Sequence, residues 1–420
     1  MDHRQRVSLR CRIAKLILIF FCAASTALQG QQFKVFDRTV EFHGFASQGF
    51  LYTGQNNWLS THSSQGSGAF TDFGANLSSQ ITEKFHAGLQ VYDRNLGNLG
   101  EWHPELDWAF GDYRFEPWFG VRSGKVKTVL GLYNDTQDLD FLHTFALLPQ
   151  SVYPADMRDA TIAHLGADVY GRIPLSHSLG TLGYTVYAGH RHDSNYSGYA
   201  AILAKYGITS SSYGGLQYGG DLRWDTPLKG VLIGASRMSE DLTDKGTSVS
   251  LVSGVFPYSA VSRADWTNQF YGEYTAGKFS ADAEYRRFVH DQIVNHGALE
   301  TITDIRGWYV SGSYRVTKRV MLGSYYSRYS ITSVGGGPLD VLFPSEFPNQ
   351  TDTSLPANHV YDKVVTARID LNHYWNAKIE GHFMSGYGDS SYPDGFYRQV
   401  NPNGFKPTTN ALVLKTSVNF

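Results

Sequence analysis

The residues best equipped for chemistry gather in one stretch, "NDTQDLDFLHTFALLPQSVYPADMRDATIA", which starts at Asn134. It carries Asp135, Asp138, Asp140, His143, Asp156, Arg158 and Asp159 around an apolar centre, "FALLPQSVY". The "DLD" at 138–140 offers two acids to a calcium ion, which is too few to specify a site. An outward loop has no reason to hold that much apolar surface unless it packs against something. Folded inward against a wall, it would bury the apolar part and set charges of both signs across a narrow passage. Such a passage sorts ions and small polar solutes by its field. A surface lid, or a loop packed at a subunit interface, is the other reading of the same residues.

Two further stretches invite chemistry. "GHRHDS" (189–194) places His190, His192, Asp193 and Ser194 together, as a metal site or a hydrolase would. Neighbouring residues of a strand point to opposite faces, however, and no third ligand follows at the usual spacing. These read as solvated loop residues. "SVGGGP" (333–338) lacks the Lys-Ser/Thr of a phosphate loop and reads as a turn.

The elements that must position these residues are strands. Period-2 alternation recurs in sixteen segments: 39–54, 70–81, 84–95, 106–115, 119–133, 161–173, 181–190, 215–225, 231–240, 265–275, 278–290, 305–316, 319–331, 359–371, 377–388 and 410–420. In "KFHAGLQVYDRN" Phe85, Ala87, Leu89 and Val91 oppose His86, Gln90, Tyr92 and Arg94. The final "ALVLKTSVNF" sets Leu412, Leu414, Thr416, Val418 and Phe420 against Lys415, Ser417 and Asn419. Each segment is about the 9–11 residues that cross a bilayer when tilted. Connections alternate between short ("TE", "EPW", "AG", "TK") and long (55–69, 96–105, 134–160, 191–214, 241–264, 291–304, 332–358, 389–409). Alternating connection length is the mark of an up-and-down barrel with short periplasmic turns on one rim and long extracellular loops on the other. A soluble sandwich has shorter strands and no such sorting. Aromatics at strand ends (Tyr52, Phe70, Trp108, Phe110, Trp118, Trp224, Trp266, Trp308 and Trp375) read as interfacial girdles.

The amino terminus agrees. "MDHRQRVSLRCRIAK" holds five basic residues and one acid, and "LILIFFCAA" and "STA" follow it. That is the pattern of a secretory signal over 1–27, too short in its apolar run to be a spanning helix. Both cysteines, Cys11 and Cys22, lie inside it, so the mature chain has no disulfide. A formal charge of −2 for the whole chain becomes −6 once the signal is removed, which argues against a nucleic-acid partner. Mean hydropathy is −0.29 and no long apolar run follows residue 30, which excludes helical spans but not a barrel, in which lipid-facing and lumen-facing residues cancel. The 43 Gly, 27 Tyr and 25 Phe suit such a barrel.

With strand number, loop alternation and a terminal aromatic in hand, the chain resembles the sixteen-stranded Gram-negative outer-membrane porins over nearly its whole mature length. That resemblance implies an all-β transmembrane antiparallel barrel at 39–420 after a short periplasmic segment, 28–38. It implies location in the cell outer membrane, contact with outer-membrane lipid, and a homotrimer. It also implies a third loop, 134–160, folded into the lumen, and Phe420 as the signal read by the barrel-assembly machinery. No "PEFGG"-like motif is present, so no constriction residue carries over by position. Alternation alone nominates Arg94, Asp107, His164, Asp168, Arg172, Asp221, Arg223, Glu273, Asp282, Glu284, Arg286, Arg315 and Arg368 for the lumen. The function expected is passive diffusion of ions and small hydrophilic solutes, without a cofactor, a metal or catalysis. A channel specific for sugar, phosphate or carboxylate is the alternative, and a barrel enzyme a more distant one.

Overall fold

The computed structural model describes residues 31–35, 38–97, 99–176, 178–205, 207–250, 254–338, 341, 349–388 and 395–420. The signal peptide read at 1–27 lies outside them. The strands are β1 (Gln31–Val35), β2 (Arg38–Thr53), β3 (Phe70–Gln80), β4 (Phe85–Leu96), β5 (Glu105–Glu116) and β6 (Phe119–Lys127). Then follow β7 (Ala163–Pro174), β8 (Thr181–Asp193), β9 (Ile208–Asp225), β10 (Val231–Ser250), β11 (Gly254–Ala276) and β12 (Phe279–Val294). The last are β13 (Leu299–Arg315), β14 (Val320–Gly335), β15 (His359–Asp370), β16 (Trp375–Gly386) and β17 (Thr408–Asn419).

From β2 to β17 each strand pairs antiparallel with the next, and β17 pairs back onto β2 through Ala411–Asn419 against Thr53–Phe45. The sixteen strands therefore form a closed barrel with no free edge, each strand paired with a neighbour on both sides. All sixteen expected segments are present. The short segment before the barrel adds β1, which pairs with the start of β2 as a hairpin, Phe33 opposite Val40.

Alternation sets the two faces. Leu412 and Leu414 stand 37% and 39% exposed, while Lys415 and Ser417 are 8% and 3% exposed. The same split runs around the barrel, where Leu89, Leu165, Val186, Leu222, Phe270, Val310, Leu322, Val365 and Ile379 are all exposed. A contiguous apolar belt of this kind is the lipid face of a membrane barrel. The seven short turns gather on the rim that also holds both barrel ends, so the long loops share the opposite rim. At the closing seam Phe420 exchanges backbone hydrogen bonds with Gly44 (2.9 and 3.0 Å). Its ring lies in the space a Cβ of Gly44 would need, 2.5 Å away, and 5.6 Å from the ring of Phe42.

Four local expectations need correction. The strand read over 119–133 stops at Lys127, because "VLGLY" is apolar for a different reason: Val129, Leu130 and Leu132 are buried inside the barrel, not turned to lipid. Most of 241–264 and 291–304 is not loop but strand, since β10 to β13 run on well past the membrane belt as a hairpin wall. The connection 191–214 holds a helix, Gly198–Lys205, whose Ala-rich "YAAILAK" has good helix propensity but is too short to show a period. Three girdle aromatics also turn inward. Phe70 has the parity of buried Asp72 and is 5% exposed. A bulge in β5, where Gln90 pairs Trp108 but Val91 pairs Leu106, shifts Trp108 and Phe110 onto the face of buried Gln90.

Candidate functional site

The chain leaves the wall after Lys127 and returns at Ala163, and residues 128–162 cross the interior of the barrel. Asn134 clasps the base of this loop, its amide donating to the carbonyls of Thr128 (2.8 Å) and Thr161 (2.7 Å). Gly131 is needed at φ +68°, since a side chain there would collide with the Gln269 amide. The apolar centre is buried as its composition demands. Phe145 packs on Tyr325 and Val364. Val152 and Tyr153 pack on Tyr309. Ala146 and Leu147 join Leu51, Phe70, Met384 and Val413.

Three polar nodes tie the loop to the wall. On β12, Glu284 accepts from Leu132 N (3.1 Å), Tyr153 Oη (2.7 Å), Tyr309 Oη (2.6 Å) and Gln269 Nε2 (2.7 Å). On β16 and β17, Asp140 lies 3.0 Å from both Lys378 Nζ and Lys415 Nζ and accepts from Ser417. Lys378 also donates to the carbonyls of Asp140 and Phe145, at 2.7 and 2.9 Å. At the next inward position of β16, Glu380 accepts the backbone N–H groups of Ala146 (2.9 Å) and Leu147 (3.1 Å). His382 bridges Glu380 (3.1 Å) and Asp362 (2.7 Å) behind it. On β4 and β5, Asp107 (2.8 Å) and the Tyr92 ring (3.8 Å) hold Arg158, which also reaches Asp138 of the loop itself (3.5 Å). Arg94 binds Asp159 and the Ala155 carbonyl, both at 2.6 Å.

The electrostatics of the loop follow from these partners. Burial works to raise the Asp140 carboxyl, but Lys378 and Lys415 outweigh it and hold the group below the usual carboxylate range. Burial also opposes ionisation of Asp138, and Lys127 and Arg158 likewise win. At His143 burial outweighs the pull of the Thr136 carbonyl and of Asp140 and Asp138. Burial pushes its imidazole down to about 4, so it is neutral at ordinary pH, with Nε2 2.9 Å from the Thr136 carbonyl.

The loop charges thus come together at the junction of loop and wall, not free in the lumen. Asp138, Asp140, His143, Asp156 and Arg158 are buried, while Asp135 and Asp159 are half-buried. Asp138 turns to Gln90 and Lys127 and Asp140 to Lys378 and Lys415, so the two carboxylates engage different stretches of wall. Asp156 instead faces the mouth, accepting from Tyr397 Oη (2.6 Å) and Gly395 N (3.2 Å) of the last loop. Of the wall residues expected inside, Arg94, Asp107, Glu284, Arg286 and Arg368 touch the loop, Arg286 through Val152 O and Arg368 through His143 O. Arg223 binds Asp221 and the Gly131 carbonyl, and His164 meets Thr128. Asp168 pairs with Arg122, and Asp282 is half-buried on β12. Arg172 with Asp225, Arg315 with Asp370, and Glu273 sit nearer the short-turn rim and are less covered.

Lys378, Glu380 and His382 are not among the expected residues. Their signal is available: in "AKIEGHF" they alternate with Ala377, Ile379, Gly381 and Phe383, and Ile379 and Phe383 face lipid. Of "GHRHDS", His190 and His192 point outward, whereas Asp193 points inward to Arg191 (2.7 Å). The space left between the loop and the β3, β4 and β17 wall is about 80 Å³, bounded by Asp72, Arg94, Asp140 and Lys415. A second space, of about 40 Å³, lies beside Arg158 and Asp107.

No family model and no curated protein sequence matches the chain. Solved structures do match it. OmpT of Vibrio cholerae, folded in vitro, aligns at a TM-score of 0.56 and 10% identity over 93% of this chain and 100% of its own; a trimer form of it aligns at 0.53 and 10%, over 91% and 99%. The anion-selective porin from Comamonas acidovorans gives 0.54 and 10%, over 91% and 100%. The outer membrane channel DcaP of Acinetobacter baumannii gives 0.53 and 10%, over 92% and 99%. At such identities the likeness is one of fold, and the fold is that of the sixteen-stranded outer-membrane porins.

Proposed function

We propose that this chain is an outer-membrane porin through which ions and small hydrophilic solutes diffuse passively, without catalysis. The observation that carries the reading is the loop 128–162, held across a closed membrane barrel by ion pairs of both signs. A barrel that served only as a wall would need no such loop. A loop that narrows the lumen and lines it with charge acts as a filter. The small spaces left beside the loop favour, as a second reading, a channel selective for one class of solute. Liposome swelling tests both. Vesicles carrying the refolded protein should swell in small neutral sugars, with a rate that falls steeply as solute size grows. Equal, leak-level swelling in all solutes would reject the channel. A large excess for one solute over others of its size would favour the selective form.

Two further parts of the reading concern assembly. The outer wall of β3 to β8 carries a row of small residues, Ser79, Ala87, Gly111, Ser123, Ala167 and Ala188, each paired with the next. A flat face of this kind suits close approach of a second barrel, and the trimer form of a structural neighbour supports a homotrimer. Phe420, seated over Gly44 at the seam, is the residue the barrel-assembly machinery would read. Removing it should cut the amount of folded barrel in the outer membrane severalfold, while the barrels that do form conduct as before. Heat-shifted gel mobility of membrane fractions checks this, and normal assembly of the truncated chain would reject it.

A further inference from the structure

At the long-loop rim, segments 59–61, 99–101, 195–204 and 397–400 enclose a cavity of about 420 Å³. That is the size of a small-molecule site, and its composition is of the same kind. Leu59, Leu99, Ala201 and Val400 make an aliphatic bed, and Tyr196 and Tyr397 border it. Among the described residues on the lining, Glu101 is the one charged side chain.

Both rings are fixed in advance. Tyr397 donates its hydroxyl to Asp156 of the loop 128–162 (2.6 Å), so what it offers the cavity is its ring. Tyr196 lies against His103, with ring centroids 3.8 Å apart. The frame around them is equally tight. Leu59 N donates to the Gly395 carbonyl (2.8 Å), and Gly100 N to the Tyr196 carbonyl (3.2 Å). The helix Gly198–Lys205 begins so close to the Asp156 carbonyl that any side chain at Gly198 would collide with it. A cavity held this way is preformed, and a ligand entering it orders little.

Glu101 stands out in this frame. Its carboxylate is exposed and makes no hydrogen bond or ion pair among the described residues. Its backbone lies at φ +47°, with Trp102 at +63° and Leu59 at +57°. Residues with a side chain adopt that region rarely, and only where the surroundings hold them there. Half of the six described non-glycine residues in that region thus lie at this cavity or next to it. Trp102 stacks on Phe73 of the outer wall (6.4 Å), which pins the turn from behind and leaves Glu101 to the cavity.

We propose that this cavity captures a small amphipathic cation, an amine with a compact apolar body. The body lies on Leu59, Leu99, Ala201 and Val400 between the two rings, and the ammonium meets Glu101. A carboxylate beside aromatic rings supplies the ion pair and the ring attraction that an ammonium seeks. An anion finds no cation on the lining, and a sugar would leave most of its hydroxyls against aliphatic carbon. The site gives the channel reading a solute class, and only the fate of the captured amine rests on that reading. Binding itself needs no more than the folded barrel.

Ligand-observed NMR titration of the refolded full chain in maltoside micelles at neutral pH tests it, with phenethylamine, phenethyl alcohol and hydrocinnamate as probes. The three share an apolar body and differ in charge. Wild type should bind the amine about tenfold more tightly than the alcohol, and the carboxylate least of all. Glu101→Gln should cost the amine about tenfold and leave the alcohol unchanged. Ala204→Trp, which fills the cavity from the exposed end of the helix, should abolish binding of both. Glu83→Gln, on the short-turn rim, should change neither. Equal binding of amine and alcohol, or an unaffected Glu101→Gln, would overturn the cation assignment. An unaffected Ala204→Trp, or no saturable binding beyond that of empty micelles, would overturn the cavity as the seat. Heat-shifted mobility establishes that each variant is folded. Glu101→Gly, which removes the carboxylate and the backbone strain together, stands in for a Glu101→Gln that is not. Silent barrels that prefer the amine would sink the channel reading alone, and conducting barrels without that preference would sink this one alone.

Discussion

Replacing residues 132–156 with a short Gly-Ser link should raise the single-channel conductance severalfold and leave the barrel closed. The ladder does not depend on the loop: β6 holds β5 and β7 through its own backbone, and closure runs through β17 and β2. What the excision removes is the filling of the lumen, including the buried apolar centre from Phe145 to Tyr153. The wall groups it exposes, among them Glu284, Lys378 and Glu380, would be taken up by water rather than left orphaned, so the cost in stability is limited. A barrel of this strand number is wide enough to hold an aqueous channel once empty. Conductance equal to wild type would mean that the current does not pass beside this loop at all.

The second large effect belongs to a single wall residue. Glu380→Ala should release the turn at 143–148 without opening the barrel. Glu380 is fully buried, accepts two loop N–H groups and holds one nitrogen of His382. Its removal strands those donors and leaves the buried imidazole with Asp362 alone. Losing one partner of a buried charged network costs about 3–5 kcal/mol, more than this short turn can absorb and stay docked. Limited proteolysis should then cut within 143–148, where wild type resists, and channel records should show frequent transitions between current levels. Glu380→Gln keeps one acceptor and should lie between the two. A protease-resistant Glu380→Ala with quiet records would mean that the turn is held by its apolar contacts to Leu51, Met384 and Val413 instead.

The wall of this protein was legible from the sequence because a barrel strand has only one pattern to obey. "ALVLKTSVNF" shows its two faces residue by residue, and the closed ring adds nothing to them except which face meets lipid. The ends of strands were less legible. β10 and β11 continue beyond the lipid belt, where the alternating residues need not be apolar, so the pattern fades although the ladder goes on. "VLGLY" misled in the opposite sense, since an apolar run that enters the lumen looks like one that faces lipid. A bulge is invisible to parity, and it reversed Trp108 and Phe110.

The loop 128–162 was visible as an anomaly, too apolar and too charged for a solvated connection. Its docking was not visible. Partners such as Asp140 with Lys378, or Tyr153 with Glu284, lie far apart in the chain and are brought together only by closure of the barrel. Alternation could have nominated Lys378, Glu380 and His382 as a set, but no local rule says which inward residues touch a loop and which line an open path.

Conductance of the purified, refolded chain in a planar bilayer is the most direct measurement of the claim that this barrel is a channel narrowed by its own loop. The account predicts stepwise insertions of open channels, small for a barrel of sixteen strands and severalfold larger once 132–156 is replaced. Barrels that insert, shown by heat-shifted mobility of the same preparation, yet stay silent in both forms would contradict it.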